Sequence, residues 1–177
     1  MAGKKVRRLV TGHDAEGRSK FLMDGDAPAV LVMAQMGDLT VTDLWETFET
    51  PADNTGESDN TDRPVHLEPG PNGTIFRIVE FPPDAVWKDG AQGAEAFAAL
   101  QASHAADSDH DDPGMHKTST VDYALVLEGE IWAVMDTDER VMRAGDVLIQ
   151  RGTNHAWANR TSENCRVMFV LCDAKPA

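Results

Sequence analysis

The sequence is short of the residues that mark several large protein classes. Basic side chains are scarce, 16 Lys and Arg against 30 Asp and Glu, which leaves a formal net charge of -14. Neutralising phosphates takes clustered Lys and Arg, and the one small cluster, Lys4 to Arg8, sits at the N-terminus, so nucleic acid is excluded as a partner. No apolar run approaches bilayer length, and no membrane span is expected. The N-terminal stretch has no apolar core like that of a signal peptide, and a cytoplasmic protein is expected. Cysteine is limited to Cys165 and Cys172 in one apolar stretch. On a strand their odd separation turns them to opposite faces, so they read as unpaired buried thiols. There is no Gly-x-Ser-x-Gly elbow, phosphate loop, dinucleotide fingerprint or paired-cysteine motif. Hydrolases of the elbow type, nucleotide enzymes and structural zinc modules are thereby removed.

What remains is a chain of 177 residues with 41% hydrophobic residues, enough for one domain with a proper core and short for two. Residues 1–177 are therefore read as a single domain. Short β-like runs recur between turn signals: Val6–Thr11, Ser19–Met23, Ala29–Met33, Thr74–Phe81, Val121–Leu127, Glu130–Met135, Val147–Arg151, His155–Asn159 and Arg166–Leu171. Leu39–Phe48 is ambiguous between strand and short helix, and Glu95–Ala106 reads as a short helix. Acidic loops are expected at 51–64 and 107–114. The C-terminal third, with turns at Glu128-Gly129, Asp136-Thr137-Asp138 and Ala144-Gly145-Asp146, reads as an antiparallel meander. The class is all-β, a sandwich or barrel.

Two stretches carry more specific information. The first runs His116-x-Thr118-x3-Asp122 and on to Leu127-Glu128-Gly129-Glu130; the second is Gly145-x5-Arg151-Gly152-x2-His155-x3-Asn159. In order and spacing they resemble the two motifs of the cupin superfamily. They depart from it in four places. Thr118 stands for the second His of the first motif, Asp122 for Glu and Arg151 for Pro, and the second-motif loop is one residue short.

The resemblance implies a double-stranded β-helix, or jelly-roll barrel, with one short helical insertion. It implies one divalent transition metal, Fe, Zn, Mn or Ni, held by His116, Asp122 and His155. Two imidazoles and a carboxylate suit such an ion and leave positions open for water or substrate. On a straight strand His116 and Asp122 would lie roughly 20 Å apart, so the chain must bend between Lys117 and Val121. Trp157 and Asn159 share the face of His155 and are expected to line the pocket. Thr118 is either a hydroxyl near the metal or an ordinary strand threonine. His110, in an acidic loop, supplies a missing ligand if the loop folds inward and is otherwise solvated. Arg77 is either a buried anchor for a substrate carboxylate or an edge residue reaching outward. Tyr123 is expected to pack, and His13, His66 and His104 to lie at the surface.

The functional expectation is a metal-dependent small-molecule enzyme acting on an organic acid or keto compound, as a dioxygenase, decarboxylase, isomerase or lyase. The rival is a non-catalytic small-molecule binder without a functional metal. A homodimer built through the N-terminal strands is expected by the same resemblance.

Overall fold

The structure is a computed structural model that describes residues 3–88, 93–107 and 109–176. With 46% of the chain in strands and 7% in helix, it is all-β, a jelly roll of two facing antiparallel sheets. The strands are β1 (Arg7–His13), β2 (Ser19–Asp26), β3 (Ala29–Met33), β4 (Leu39–Thr47), β5 (Thr74–Phe81), β6 (Thr120–Glu128), β7 (Glu130–Met135), β8 (Glu139–Arg143), β9 (Val147–Arg151), β10 (His155–Ala158) and β11 (Cys165–Asp173). The α-helix among the described residues, α1, spans Gly93–Ala99. No helix among the described residues is long and apolar enough to cross a membrane.

The larger sheet has the order β3-β4-β5-β11-β6-β9 and the smaller one β10-β7-β8, while β1 and β2 form a separate hairpin. Strict alternation makes the central strands two-faced. β11 buries Cys165, Val167, Phe169 and Leu171, and β6 buries Thr120, Asp122, Ala124 and Val126 on the same side of the sheet. Their apolar members meet Ile75 and Val79 of β5 and Ile131 and Ala133 of β7 in one continuous core. The alternation that builds the core therefore also carries Asp122 into it. Cys165 and Cys172 are free, the first fully buried.

Two local expectations are corrected and one ambiguity is settled. The C-terminal third is not a meander: β6 pairs with β11 and β9, whereas β7 pairs with β8 and β10. A tight hairpin needs a two-residue loop, and only Gly129 separates β6 from β7. Its φ of 83° turns the chain out of one sheet and into the other. The ambiguous Leu39 run is strand β4, and Glu139–Arg143, too polar to stand out in the sequence, is edge strand β8. The helix is shorter than expected. It closes with Gln101 at φ 56° and with Gln101 N–H on the Ala98 carbonyl and Ala102 N–H on that of Phe97, a Schellman end built without glycine.

Gly129 is confined on two counts. A Cβ there would lie 3.0 Å from the Asn164 carbonyl oxygen and 3.1 Å from Cys165 Cα, on top of the left-handed backbone. Gly145 has a φ of 95° but open space around it. Gly129→Ala is expected to cost about 2 kcal/mol or more and Gly145→Ala about 1 kcal/mol in denaturant unfolding. Equal losses would contradict the tight corner.

Candidate metal and substrate site

The site begins with a backbone bridge. His116 lies outside the named strands, yet its N–H bonds the His155 carbonyl and the His155 N–H bonds the His116 carbonyl, both at 2.9 Å. Residues that exchange both hydrogen bonds across an antiparallel pair carry their side chains on the same face. The two imidazoles accordingly sit side by side, with ring centroids 4.2 Å apart. After Lys117 the chain leaves this edge and enters the larger sheet as β6, with Gly152 packed close to the Thr118 and Thr120 carbonyls at the turn. That crossing is the bend between Lys117 and Val121 that the spacing of His116 and Asp122 demands.

Hydrogen bonding fixes the rings. His116 Nδ1 lies 2.9 Å from the Gly114 carbonyl and His155 Nδ1 lies 3.0 Å from the Thr153 carbonyl. A carbonyl only accepts, so both rings carry their proton on Nδ1 and keep a lone pair on Nε2. Burial drives both below the ordinary imidazole range. His155 falls to about 3, through burial first and the neighbouring His116 second. His116 is lowered by burial, against the opposing pull of the Gly114 carbonyl and Glu68. Both rings are neutral at physiological pH, the state in which imidazole binds metals.

Asp122 faces the same space from the opposite sheet and is 5% exposed. Burial pushes its carboxyl up to about 6, against the stabilising Thr120 hydroxyl and Arg77 guanidinium. Its Oδ1 is buried without a hydrogen-bond partner among the described residues.

These three side chains line one cavity of about 120 Å³. The rest of its wall is mainly apolar, from Met33, Val41, Phe81, Trp87, Phe97 and Phe169 among others. Trp157 is part of it, edge-on to Phe169 at 5.3 Å and to His155 at 6.1 Å. Phe97 of α1 lies 5.0 Å from the His116 ring, so the helical insertion covers the histidine pair. Sequence reasoning placed the helix without assigning Phe97 or Trp87 to the site. Neither lies in a motif, and only the tertiary approach of their segments puts them on the cavity.

The other candidates are placed as follows. Arg77 is interior, 3% exposed, which overturns the outward-reaching reading. The anion it needs is Asp43, at 2.9 Å, and its terminal nitrogens hold the Leu67 and His66 carbonyls. All three guanidinium nitrogens thus have protein partners, while Arg77 is also part of the cavity wall. Asn159 is buried but spent on structure. It donates to the Phe81 and Glu163 carbonyls and accepts from Thr161, and it does not line the cavity. Thr118 is buried against the Thr120 hydroxyl at 2.8 Å, also off the cavity wall. His110 is exposed and its Nδ1 accepts the Asp112 N–H, so its loop folds outward. Tyr123 is 48% exposed rather than packed. His66, expected at the surface, is half-buried on Glu46, beside the buried Asp43, Arg63 and Arg77 network.

The donor chemistry suits a divalent transition metal: two neutral imidazoles with oriented Nε2 lone pairs and a carboxylate oxygen lacking a partner. Among the described residues, however, no three His, Cys, Asp or Glu side chains are drawn together as a ready-made ligand cluster. The histidine pair is assembled; Asp122 shares its cavity without closing on it.

Comparison with known proteins gives a consistent result. Residues 107–171 match the family described as the cupin domain. The chain is 34% identical over 177 residues to phomopsin biosynthesis cluster protein C' of Diaporthe leptostromiformis, covering 96% of this chain and 79% of that one. It is 31% identical over 180 residues to a cupin-domain-containing oxidoreductase of Aspergillus ruber, covering 96% and 73%. Among solved structures, the Cnp3 cupin domain of Schizosaccharomyces pombe aligns over 96% of this chain and 89% of its own at 13% identity, with a TM-score of 0.48.

The buried carboxyl gives a signed stability prediction. Between its ordinary value of 3.8 and about 6, the folded chain keeps a proton on Asp122 that the unfolded chain releases. The stability from that proton is fully present below pH 3.8 and is lost as the pH rises through 6. In chelator-treated protein at pH 8, Asp122→Asn is expected to raise the unfolding free energy by about 3 kcal/mol, an advantage that vanishes near pH 4. A destabilised variant at pH 8 would contradict the burial.

Proposed function

The chain belongs to the cupin superfamily, and on that footing we propose that it is a metal-dependent oxidoreductase acting on a small keto or hydroxy compound within a biosynthetic route. The carrying observation is the histidine pair: two neutral imidazoles, each pinned through Nδ1 to a carbonyl, with ring centroids 4.2 Å apart. Fe, Zn, Mn or Ni held by the Nε2 atoms of His116 and His155, with Asp122 as the nearby carboxylate, would supply a Lewis acid or a site for dioxygen. The names of the relatives, an oxidoreductase and a biosynthesis cluster protein, support redox chemistry on a small molecule.

The protein's own groups divide the remaining tasks. The aromatic wall from Trp157, Phe169 and Phe81 packs the carbon skeleton and excludes water from the reacting end. Asp122, whose Oδ1 has no hydrogen-bond partner among the described residues, is the carboxylate that would complete the ligand set beside the two imidazoles. Because Arg77 is committed to Asp43, a keto or hydroxy compound fits the cavity better than an organic acid.

A second reading has one observation in its favour. Thr118 stands where the family pattern has a ligand and is turned onto Thr120, which suits a binder of neutral ligands without metal. Metal analysis of protein purified without chelator separates the two. About one equivalent of Fe, Zn, Mn or Ni per chain, abolished in both His116→Ala and His155→Ala, supports the enzyme. No uptake under any loading condition supports the binder.

Exposed apolar side chains support the homodimer. On the N-terminal hairpin Leu9 is 49% and Phe21 67% exposed, and edge strand β3 exposes Val30 and Val32 without an intervening charge. An uncovered apolar edge invites a second chain. Light scattering is expected to give the mass of a dimer; a monomer at working concentration would refute it.

A further inference from the structure

The carbonyls that set the two imidazoles belong to turns that are themselves held by second side chains. At His155, the Thr153 carbonyl receives the ring Nδ1–H and also the Gln150 Nε2–H, the latter at 2.9 Å. Gln150 is 2% exposed and sits in register opposite Asp122. At His116, the carbonyl belongs to Gly114, whose own N–H is held by Asp112 Oδ1 at 2.9 Å. The other Asp112 oxygen takes Lys88 Nζ at 2.9 Å, and Lys88 also reaches Asp84 at 3.1 Å. Asp84 is fixed in turn, its Oδ1 accepting the Asn159 N–H and its N–H bonding the Asn159 carbonyl.

We infer that Gln150 and the Asp112–Lys88 pair are positioning residues, each fixing one imidazole as its Nδ1–H tautomer so that both Nε2 lone pairs are presented to the cavity. Gln150 fills a spacer position of the second motif, Asp112 and Lys88 lie in neither motif, and none of the three lines the cavity. They act through the backbone carbonyl between them and the ring. A buried glutamine amide at the end of a strand would ordinarily be a cost, and here both of its Nε2 contacts, to the Thr153 carbonyl and hydroxyl, serve the turn that carries His155. The two braces are independent. One runs from β9 across the β9–β10 corner, the other from the segment after β5 to the loop before His116.

The purpose of this arrangement rests on the metal reading above, whereas its geometry does not, and the test keeps them apart. Imidazole ¹⁵N shifts of chelator-treated, histidine-labelled protein report the tautomer of each ring directly. The wild type is expected to show both rings protonated on Nδ1. Gln150→Met is expected to lose that pure tautomer at His155 and keep it at His116. Asp112→Ala is expected to do the reverse, with Asp112→Asn, which retains an oxygen for the Gly114 N–H but gives up the Lys88 ion pair, restoring it in part. On metal titration each disruptive variant is expected to bind 10–100-fold more weakly, the usual range for partners of metal-bound histidine. Unchanged tautomers in Gln150→Met and Asp112→Ala, or both rings disturbed together by either, overturn the assignment. If Gln150→Met does not fold, the Asp112 pair of variants carries the same test at the half-exposed end of the network. Absence of metal uptake by the wild type overturns the metal reading alone and leaves the tautomers to decide this one.

Discussion

The reciprocal backbone pair between His116 and His155 is the constraint on which the site depends. It joins a segment with no strand of its own to the edge strand of the smaller sheet, and by the geometry of an antiparallel pair it places two side chains next to each other on one face. The rest of the site is arranged around that contact. Phe97 covers it from α1, Trp157 stands edge-on beside it two residues along β10, and the carbonyls at Gly114 and Thr153 orient the rings from behind. Two buried imidazoles this close are tolerable only as neutral groups; burial keeps both so, and at His155 the neighbouring His116 adds to it. Neutrality leaves the Nε2 lone pairs available.

The opposite wall carries a cost of a kind that structural roles seldom explain. Asp122 occupies an inward position of a strand whose other inward residues are Thr120, Ala124 and Val126, and its Oδ1 has no partner among the described residues. Arg77, the nearest guanidinium by charge interaction, is held by Asp43 and by two carbonyls, so it softens the penalty without removing it. Two neutral imidazoles side by side and a buried carboxyl on the wall of the same apolar cavity are a poor solution for packing alone.

Much of this was legible in the sequence, and the exceptions have physical causes. The β-like runs Thr74–Phe81 and Arg166–Leu171 located the central strands; burial alternates along β11, whereas β5 buries Arg77, Ile78 and Val79 in succession because both of its faces are covered. The pairing of β6 and β7 was misread because a glycine between two β-like runs looks the same in sequence whether the chain doubles back or changes sheet; only φ at Gly129 and the crowding at Cys165 distinguish the two. Spacing brought His155 and Trp157 to one face, but it could not show that Asn159, one turn of the pleat further, has left the strand and spends its amide on Phe81 and Glu163. Arg77 was ambiguous because its partner, Asp43, belongs to a run that reads equally as helix, and their cross-strand register exists only once β4 is formed. Phe97, Trp87 and Gln150 carry no signal at all: their parts in the site come from tertiary approach.

On the proposed reading the Nε2 atoms of His116 and His155 would address one ion. Anomalous scattering at the absorption edge of cobalt, from crystals of the chelator-treated protein soaked in Co²⁺, tests it without recourse to any activity. A single strong peak is expected about 2.1 Å from both Nε2 atoms, on the side facing Asp122. A peak bound to only one ring, or none at the histidine pair while the lattice is otherwise intact, would contradict it.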